Sequence, residues 1–450
     1  MSRQLLALIF PPLLGLFILA LGNGFLSTLV TLRLDQAGAS VTTIGWVSAA
    51  YYVGLALGAL LNDRLLLRIG HIRAYACFAS LVAAAALAQA LWLNAGWWFV
   101  MRLIGGWATV GVYLVIESWL LTGGDPARRG RILAFYMISL YAALALGQLL
   151  LGLFAQPFDA APYVLIGMLA ALSVLPLGII PRVSPLIEQA VPLPPLKLIR
   201  VTPTGVMGAL GSGVMVAALF SLLPLYLQQI GLGVERLGQL MAVTILGGMA
   251  LQYPIGRWSD RHDRQIVLIA LGVALLLLSL LLPLAALLGD IALGAGLFLF
   301  GGGAFAFYPV AMSHAADRAP PGALVGISQG LLLINAVGCT LSAPLLSAVI
   351  GRLGADGLFY ALAAAAAALA LFFVWRRSVR PAPQPLAPFA AHPVQSVVGA
   401  ELEVTEEMVV GAEARVEAEK EQAEEEAWID NAEFDARQAS APDEPPQHQP

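Results

Sequence analysis

The sequence predicts an all-α integral membrane protein, with twelve transmembrane helices in two pseudo-symmetric six-helix bundles. Composition is the first observation behind this. Of the 450 residues, 59% are hydrophobic and 12% charged, and the mean hydropathy is +0.82. A soluble domain carries about 25% charged residues, so lipid must solvate most of this chain. The second observation is a lopsided distribution of Arg and Lys between alternate loops. The third is a set of short matches between the two halves at a near-constant spacing.

A membrane-crossing helix needs about 20 mostly apolar residues. Such stretches run over 5–32, 41–62, 74–94, 97–121, 132–155, 160–180, 204–230, 236–256, 266–288, 291–313, 324–350 and 356–375. The first follows only Ser2 and Arg3. It is longer than the apolar core of a signal peptide, so it is expected to be a retained helix. Cys77 and Cys339 both fall in apolar stretches and are expected to pack as small side chains.

Loops after even-numbered spans, with both chain ends, hold 17 bases, among them Arg64, Arg68, Arg73, Arg128, Arg129 and Arg131. Loops after odd-numbered spans hold only Arg33, Arg236 and Arg352. Positive charge collects on the cytoplasmic side. The expected location is therefore a bacterial cytoplasmic (inner) membrane, with both termini in the cytoplasm.

Residues 1–180 make the first predicted bundle and 204–377 the second. Between them, 181–203 contains six prolines, which remove backbone donors and favour extended chain; it is predicted to be a cytoplasmic linker. Residues 378–450 begin Pro-rich and turn acidic, with 16 acids against 3 bases over 401–450. This tail is expected to be cytoplasmic and mostly disordered.

The halves share a plan. Thr28-Leu-Val-Thr-Leu-Arg-Leu-Asp-Gln-Ala-Gly38 aligns with Ser221-Leu-Leu-Pro-Leu-Tyr-Leu-Gln-Gln-Ile-Gly231 at an offset of 193. The same offset pairs Gly45 with Gly238 and Gly54 with Gly247. Val112–Ser118 aligns with Phe307–Ser313 at 195. Parallel six-plus-six repeats with a site between them near the midplane are a transporter architecture.

A polar knot, Tyr253–Gln265, interrupts the second half, with three Arg and two Asp between Gly256 and Arg264. Its weaker counterpart is Asp63–Arg73. Both are predicted to be turns at the membrane surface. Gly256-Arg-Trp-Ser-Asp260-Arg261-His-Asp263-Arg264 resembles the signature loop of the major facilitator superfamily, and Arg102-Leu-Ile-Gly-Gly106 resembles its fourth-helix motif. Together with Ile116-Glu117-Ser118, Arg129-Gly-Arg-Ile132 and Tyr308-Pro-Val-Ala-Met312, the chain looks like the bacterial YcaD-type branch. The likeness covers about residues 5–375 and implies the major facilitator fold. The first loop departs from the motif, with Asp63 at its leading Gly and Leu67 at its Asp; in the second loop, Asp263 replaces a Gly. The resemblance implies a cytoplasmic latch built from Gly256, Asp260, Arg261 and Arg264, with Arg131 at the start of helix five as the symmetry-related partner of Asp260.

Glu117 is the one carboxylate well inside an apolar span between residues 1 and 375. An intramembrane ionisable group is a functional candidate by default. A buried carboxyl can take and release a proton as its surroundings change; it can also hold a neighbouring helix through a hydrogen bond. Arg102, Thr109, Tyr113 and Glu117 fall within about 80° of one helix face. Arg102 and Glu117 are about 22 Å apart along the axis, so each needs its own partner. Arg102 suits an anionic substrate or a nearby proton site, or it snorkels outward beside Trp97 and Trp98. Asn23, Ser27 and Thr31 share a face of helix one, and Gln228 and Tyr308 are further candidates for the pathway. Interhelical hydrogen bonding is the other reading of these polar groups.

No Walker sequence, nucleophile elbow, paired catalytic carboxylates or His/Cys cluster is present. Gly301-Gly302-Gly303 lies within an apolar span and is read as a helix-packing surface. The chain is therefore expected to be no enzyme, with no catalytic residue, metal site, cofactor, ATP or nucleic-acid partner. The expected function is secondary active transport of a small solute by alternating access, proton-coupled through Glu117, by a monomer in the lipid bilayer. The alternative is a non-transporting membrane sensor or scaffold acting through the acidic tail.

Overall fold

The computed structural model describes residues 3–122, 126–154, 159–179, 195–319 and 323–379. Residues 380–450 of the tail and 181–194 of the linker lie outside the described residues. The described chain is helical, with no strand. Its helices are α1 (Arg3–Gln36), α2 (Val41–Ile69), α3 (His71–Leu91), α4 (Ala95–Thr122), α5 (Pro126–Leu149), α6 (Ala161–Leu172), α7 (Val174–Gly178), α8 (Pro195–Val201), α9 (Pro203–Ser221), α10 (Leu223–Gln229), α11 (Val234–Arg261), α12 (Arg264–Leu288), α13 (Asp290–Ala316), α14 (Leu324–Leu353) and α15 (Gly357–Val379). Twelve membrane-length apolar spans result. The sixth is broken at Ser173, ahead of Pro176, and the seventh at Leu222, ahead of Pro224.

Some boundaries differ from the sequence reading. α2 continues through Arg64 and Arg68 to Ile69, leaving Gly70 as the turn. Gly70 has φ 81°, which only glycine adopts readily. The second polar knot is likewise mostly helix. α11 runs to Arg261 and α12 starts at Arg264. Asp263 caps α12, its side chain accepting from Gln265 N at 2.8 Å, so the residue that replaces the motif's glycine has a local task. Within the predicted linker, Pro195–Val201 is helical rather than extended, because proline fits the first turn of a helix.

Packing repeats between the halves. α2 lies on α4 as α11 lies on α13; α1 lies on α5 as α9 lies on α14; α3 lies on α6 as α12 lies on α15. The match extends to single atoms. A β-carbon at Gly54 would come within 2.1 Å of Leu103 O, and one at Gly247 within 2.0 Å of Phe298 O. A β-carbon at Gly106 would lie 2.0 Å from Tyr51 O, and one at Gly301 would lie 2.1 Å from Thr244 O. Small residues let the backbones touch where lipid offers no hydrophobic drive. Helix ends repeat too. Gly38 N bonds Asp35 O at 2.9 Å and Ala39 N bonds Leu34 O at 3.0 Å; Gly231 N bonds Gln228 O at 3.0 Å and Leu232 N bonds Leu227 O at 3.2 Å. Both ends are Schellman caps on a left-handed glycine, φ 75° and 86°.

The offset changes from 193 to 195 between α11 and α13, and the two extra residues can be located. α3 has 21 residues and α12 has 25. The connection after α3 is Trp92–Asn94, whereas that after α12 is Gly289 alone. The insertion thus lengthens α12 at its C-terminal end, where Leu287, Leu288 and Ile291 are exposed.

The halves meet through α2 with α14 and α11 with α5. A β-carbon at Gly45 would lie 2.7 Å from Ala343 O, and one at Gly238 would lie 2.5 Å from Gln148 O. Both contacts sit near the α1–α2 and α10–α11 connections, as does the bond from Thr31 Oγ to Ser221 O at 2.9 Å. These contacts join the bundles at the Gly38 end. The Asp260 end is the opposite one.

Candidate functional site

Four polar side chains on three helices of the first half form a cluster. Asn23 Nδ2 donates to Tyr51 Oη at 2.8 Å and lies 3.4 Å from Tyr113 Oη. The Arg102 guanidinium carbon sits 4.3 Å from the Tyr51 ring centroid. Gly106 explains this placement. It brings α4 against the Tyr51 backbone, and Arg102, one turn earlier on the same face, then overlies the Tyr51 ring. Arg102 is only 5% exposed, so it does not snorkel. Its Nε has no hydrogen-bond partner. Tyr51 and Tyr52 pack with Ala217 of α9 and Cys339 of α14, which puts the cluster at the seam between halves.

Glu117 is fully buried lower on α4. The Tyr136 hydroxyl of α5 donates to its Oε1. The adjacent Ser118 hydroxyl shares a hydrogen bond with His71 Nε2, 3.1 Å away at the start of α3. Arg102 and Glu117, which cannot reach one another, each find a tyrosine on a neighbouring helix.

The other candidates lie elsewhere. Gln228 is on α10, which packs on α1, α9 and α11; its Oε1 is buried without a hydrogen-bond partner. Tyr308 belongs to a separate core with Leu198, Met312, Ile327 and Leu331. Ser27 bonds Gly24 O within its own helix at 2.8 Å. The glycine triplet packs helices, with Gly301 against Thr244, Gly302 against Leu251 and Gly303 against Leu275.

At the Asp260 end, Arg264 Nη2 lies 3.2 Å from Asp260 Oδ1, and Nη1 lies 3.4 Å from Asp317 Oδ2 at the end of α13. Arg264 and Asp317 are 2% and 1% exposed. Arg377 Nε lies 3.4 Å from Asp263 Oδ2. Gly256 is buried, and Arg261 is exposed. Arg264, the first residue of α12, is thus one partner of Asp260 across the turn from α11. The side chain of Arg131 lies outside the described residues.

Sequence reasoning missed the tyrosines. Tyr51 and Tyr136 stand in apolar runs that give no direction around the helix axis. Gln252 was missed too. Its amide donates to Tyr141 Oη at 2.9 Å, joining α11 to α5 across the halves. Tyr141 stacks on Phe305, and Phe305 on Phe220. A glutamine inside an apolar span was the available signal.

Residues 13–332 match the Major Facilitator Superfamily. An uncharacterized MFS-type transporter of Enterobacter sp. (strain 638) is 33% identical over 378 residues, covering 84% of this chain and 96% of the relative. The uncharacterized MFS-type transporter YcaD of Salmonella arizonae is 32% identical, over 83% of this chain and 97% of its own. Among solved structures, the nucleoside transporter NupG superposes with a TM-score of 0.68 at 17% identity, covering 83% of this chain and 99% of that one. A D-xylose-proton symporter gives 0.62 at 12% identity, covering 82% and 96%. At these identities the solved structures speak for the fold alone.

Proposed function

The chain belongs to the major facilitator superfamily, and from that premise we propose that it is a proton-coupled secondary transporter of a small solute. The two bundles rock about a site centred on Asn23, Tyr51, Arg102 and Tyr113, and Glu117 carries the proton. The observation that carries this reading is the burial of Glu117 beside Tyr136. A carboxyl inside the membrane is retained at a cost. A tyrosine hydroxyl can donate to its charged form and accept from its neutral form. Glu117 is five residues from the end of α4, about 7.5 Å along the axis, so a small opening at the Asp260 end would wet it. The seam at the Gly38 end, with the opposite end carrying the Asp260–Arg264–Asp317 links, suits one face of an alternating-access cycle. The loop charges support a reading in which the Asp260 end faces the cytoplasm of an inner-membrane protein with both termini inside.

The test uses proteoliposomes preloaded with members of a metabolite panel. A solute that the parent exchanges across the bilayer should also be accumulated when a pH gradient is imposed. Glu117→Gln should keep exchange and lose the pH-driven accumulation. Equal accumulation by parent and Glu117→Gln would rule out Glu117 as the proton carrier.

A further inference from the structure

Arg102 is a buried cation. It has no ion pair among the described residues, and its Nε has no hydrogen-bond partner. Its neighbour is the Tyr51 ring, 4.3 Å from the guanidinium carbon. A π face offsets part of the charge. It supplies no lone pair in line with the five guanidinium N–H groups. Glu117, the buried carboxylate on the same helix, is fifteen residues away, about 22 Å along the axis. It pairs with Tyr136 and is too distant to neutralise Arg102. Taking a charge out of water is costly unless a partner charge and hydrogen bonds replace the water.

The local structure holds the cation in place. Gly106 brings α4 onto the Tyr51 backbone, and Asn23 fixes the far end of the Tyr51 ring through its hydroxyl. Three helices thus orient a fork of N–H donors, which no hydrogen-bond acceptor among the described residues meets. Residues of the second half, Ala217 and Cys339, close on the same tyrosine pair, so whatever meets Arg102 does so where the halves part and rejoin.

We propose that the transported solute is an organic anion, whose carboxylate or phosphate oxygens pair with Arg102 over the Tyr51 ring. This deepens the transporter reading and rests on it. A planar guanidinium matches both oxyanions in a forked, two-bond geometry, which a lysine would not reproduce. The bound anion supplies the charge that the fold withholds, so affinity is concentrated in one ionic contact. Asn23 and Tyr51 act as positioning residues for Arg102.

Thermal stability of the purified parent tests this against matched pairs of acid and neutral partner: benzoate with benzamide, nicotinate with nicotinamide, glutarate with glutaramide, and glycerol phosphate with glycerol. At least one acid is expected to stabilise the parent, with its neutral partner inert. Arg102→Gln should weaken that acid by about a hundredfold, the scale expected when one member of a buried charge pair is removed. Arg102→Lys should keep a larger share of the affinity. If Arg102→Gln does not fold, discrimination between acid and neutral partner by the parent and by Arg102→Lys still decides. The proposal is overturned if no acid stabilises the parent, if the neutral partner does so equally, or if the acid binds Arg102→Gln as tightly as parent. Exchange assays separate the two readings. A neutral solute exchanged equally by parent and Arg102→Gln sinks the anion class and leaves the transporter standing.

Discussion

The hydroxyl of Thr31 on α1 donates to the backbone carbonyl of Ser221 on α9 across 2.9 Å, tying the first bundle to the second. Ser221 is where the seventh span breaks, so its carbonyl is available to an outside donor. The bond sits in the same seam as the Gly45 and Gly238 contacts.

That seam makes the first prediction. A side chain at Gly45 would collide with Ala343 O at 2.7 Å and Ser347 Oγ at 2.6 Å. Gly45→Leu should favour the state in which the Gly38 end is parted. The assay is labelling of Ser221→Cys by an impermeant maleimide in a background of Cys77→Ser and Cys339→Ser. Labelling from the Gly38 side should rise several-fold. Gly351→Leu, whose side chain would meet open space, should leave it unchanged. A flat response to Gly45→Leu would mean that this seam does not set the balance.

Matched glycine contacts within the halves should have matched costs. Gly54→Val and Gly247→Val each drive a side chain into a carbonyl of the partner helix. Overpacking of this kind costs about 1–3 kcal/mol. The two variants should lose similar thermal stability. Gly105→Ala, whose new methyl would meet Ala85 Cβ at 3.9 Å, should stay within about 0.5 kcal/mol of parent. A tolerant Gly247 beside an intolerant Gly54 would show that the repeat does not extend to energetics.

The buried pair of Arg264 and Asp317 gives a third prediction. Asp317→Asn removes one of the two carboxylates on the buried Arg264 and leaves Asp260 at 3.2 Å, so the cost should be that of a lost buried partner, about 1–3 kcal/mol. Asp317→Asn should therefore lower the unfolding temperature. The double variant Arg264→Met with Asp317→Leu should recover most of the loss, because both buried charges are gone and Asp260, 37% exposed, can turn to water. Additive destabilisation in the double variant would contradict this account.

Tyr136 is the fourth. Tyr136→Phe removes the hydroxyl that meets Glu117 and little else. Loss of a buried hydrogen-bond partner costs about 1–3 kcal/mol, so the variant should fold. In proteoliposomes it should accumulate solute under a pH gradient less well than the parent, with exchange reduced much less. An equal fall in both would assign Tyr136 to packing rather than to the proton step.

Much of the fold was legible in the chain. Apolar stretches located the twelve spans, and Gly54 with Gly247 carried the repeat before any contact was visible. Helix ends were harder. The bases Arg64 and Arg68 suggested a loop, but a helix tolerates them at the membrane surface, and α2 continues through both. The site was legible by half. Glu117 and Arg102 stand out because charge is rare in an apolar span. Tyr51 and Tyr136 do not, because a tyrosine serves equally in a core or facing lipid, and only the packed structure shows which way it turns. The partner of Asp260 was expected on helix five; the described structure adds Arg264, which also meets Asp317, a grouping that depends on how α11, α12 and α13 converge.

The two glycine contacts between the bundles are swapped copies of each other. Gly45 of the first half meets Ala343 of the second, and Gly238 of the second meets Gln148 of the first. Each half thus offers one knuckle and receives one, on either side of a shared axis. Parting the bundles at this end would have to separate both contacts. A substitution at either glycine therefore acts on the same seam, from opposite sides of the molecule's internal symmetry.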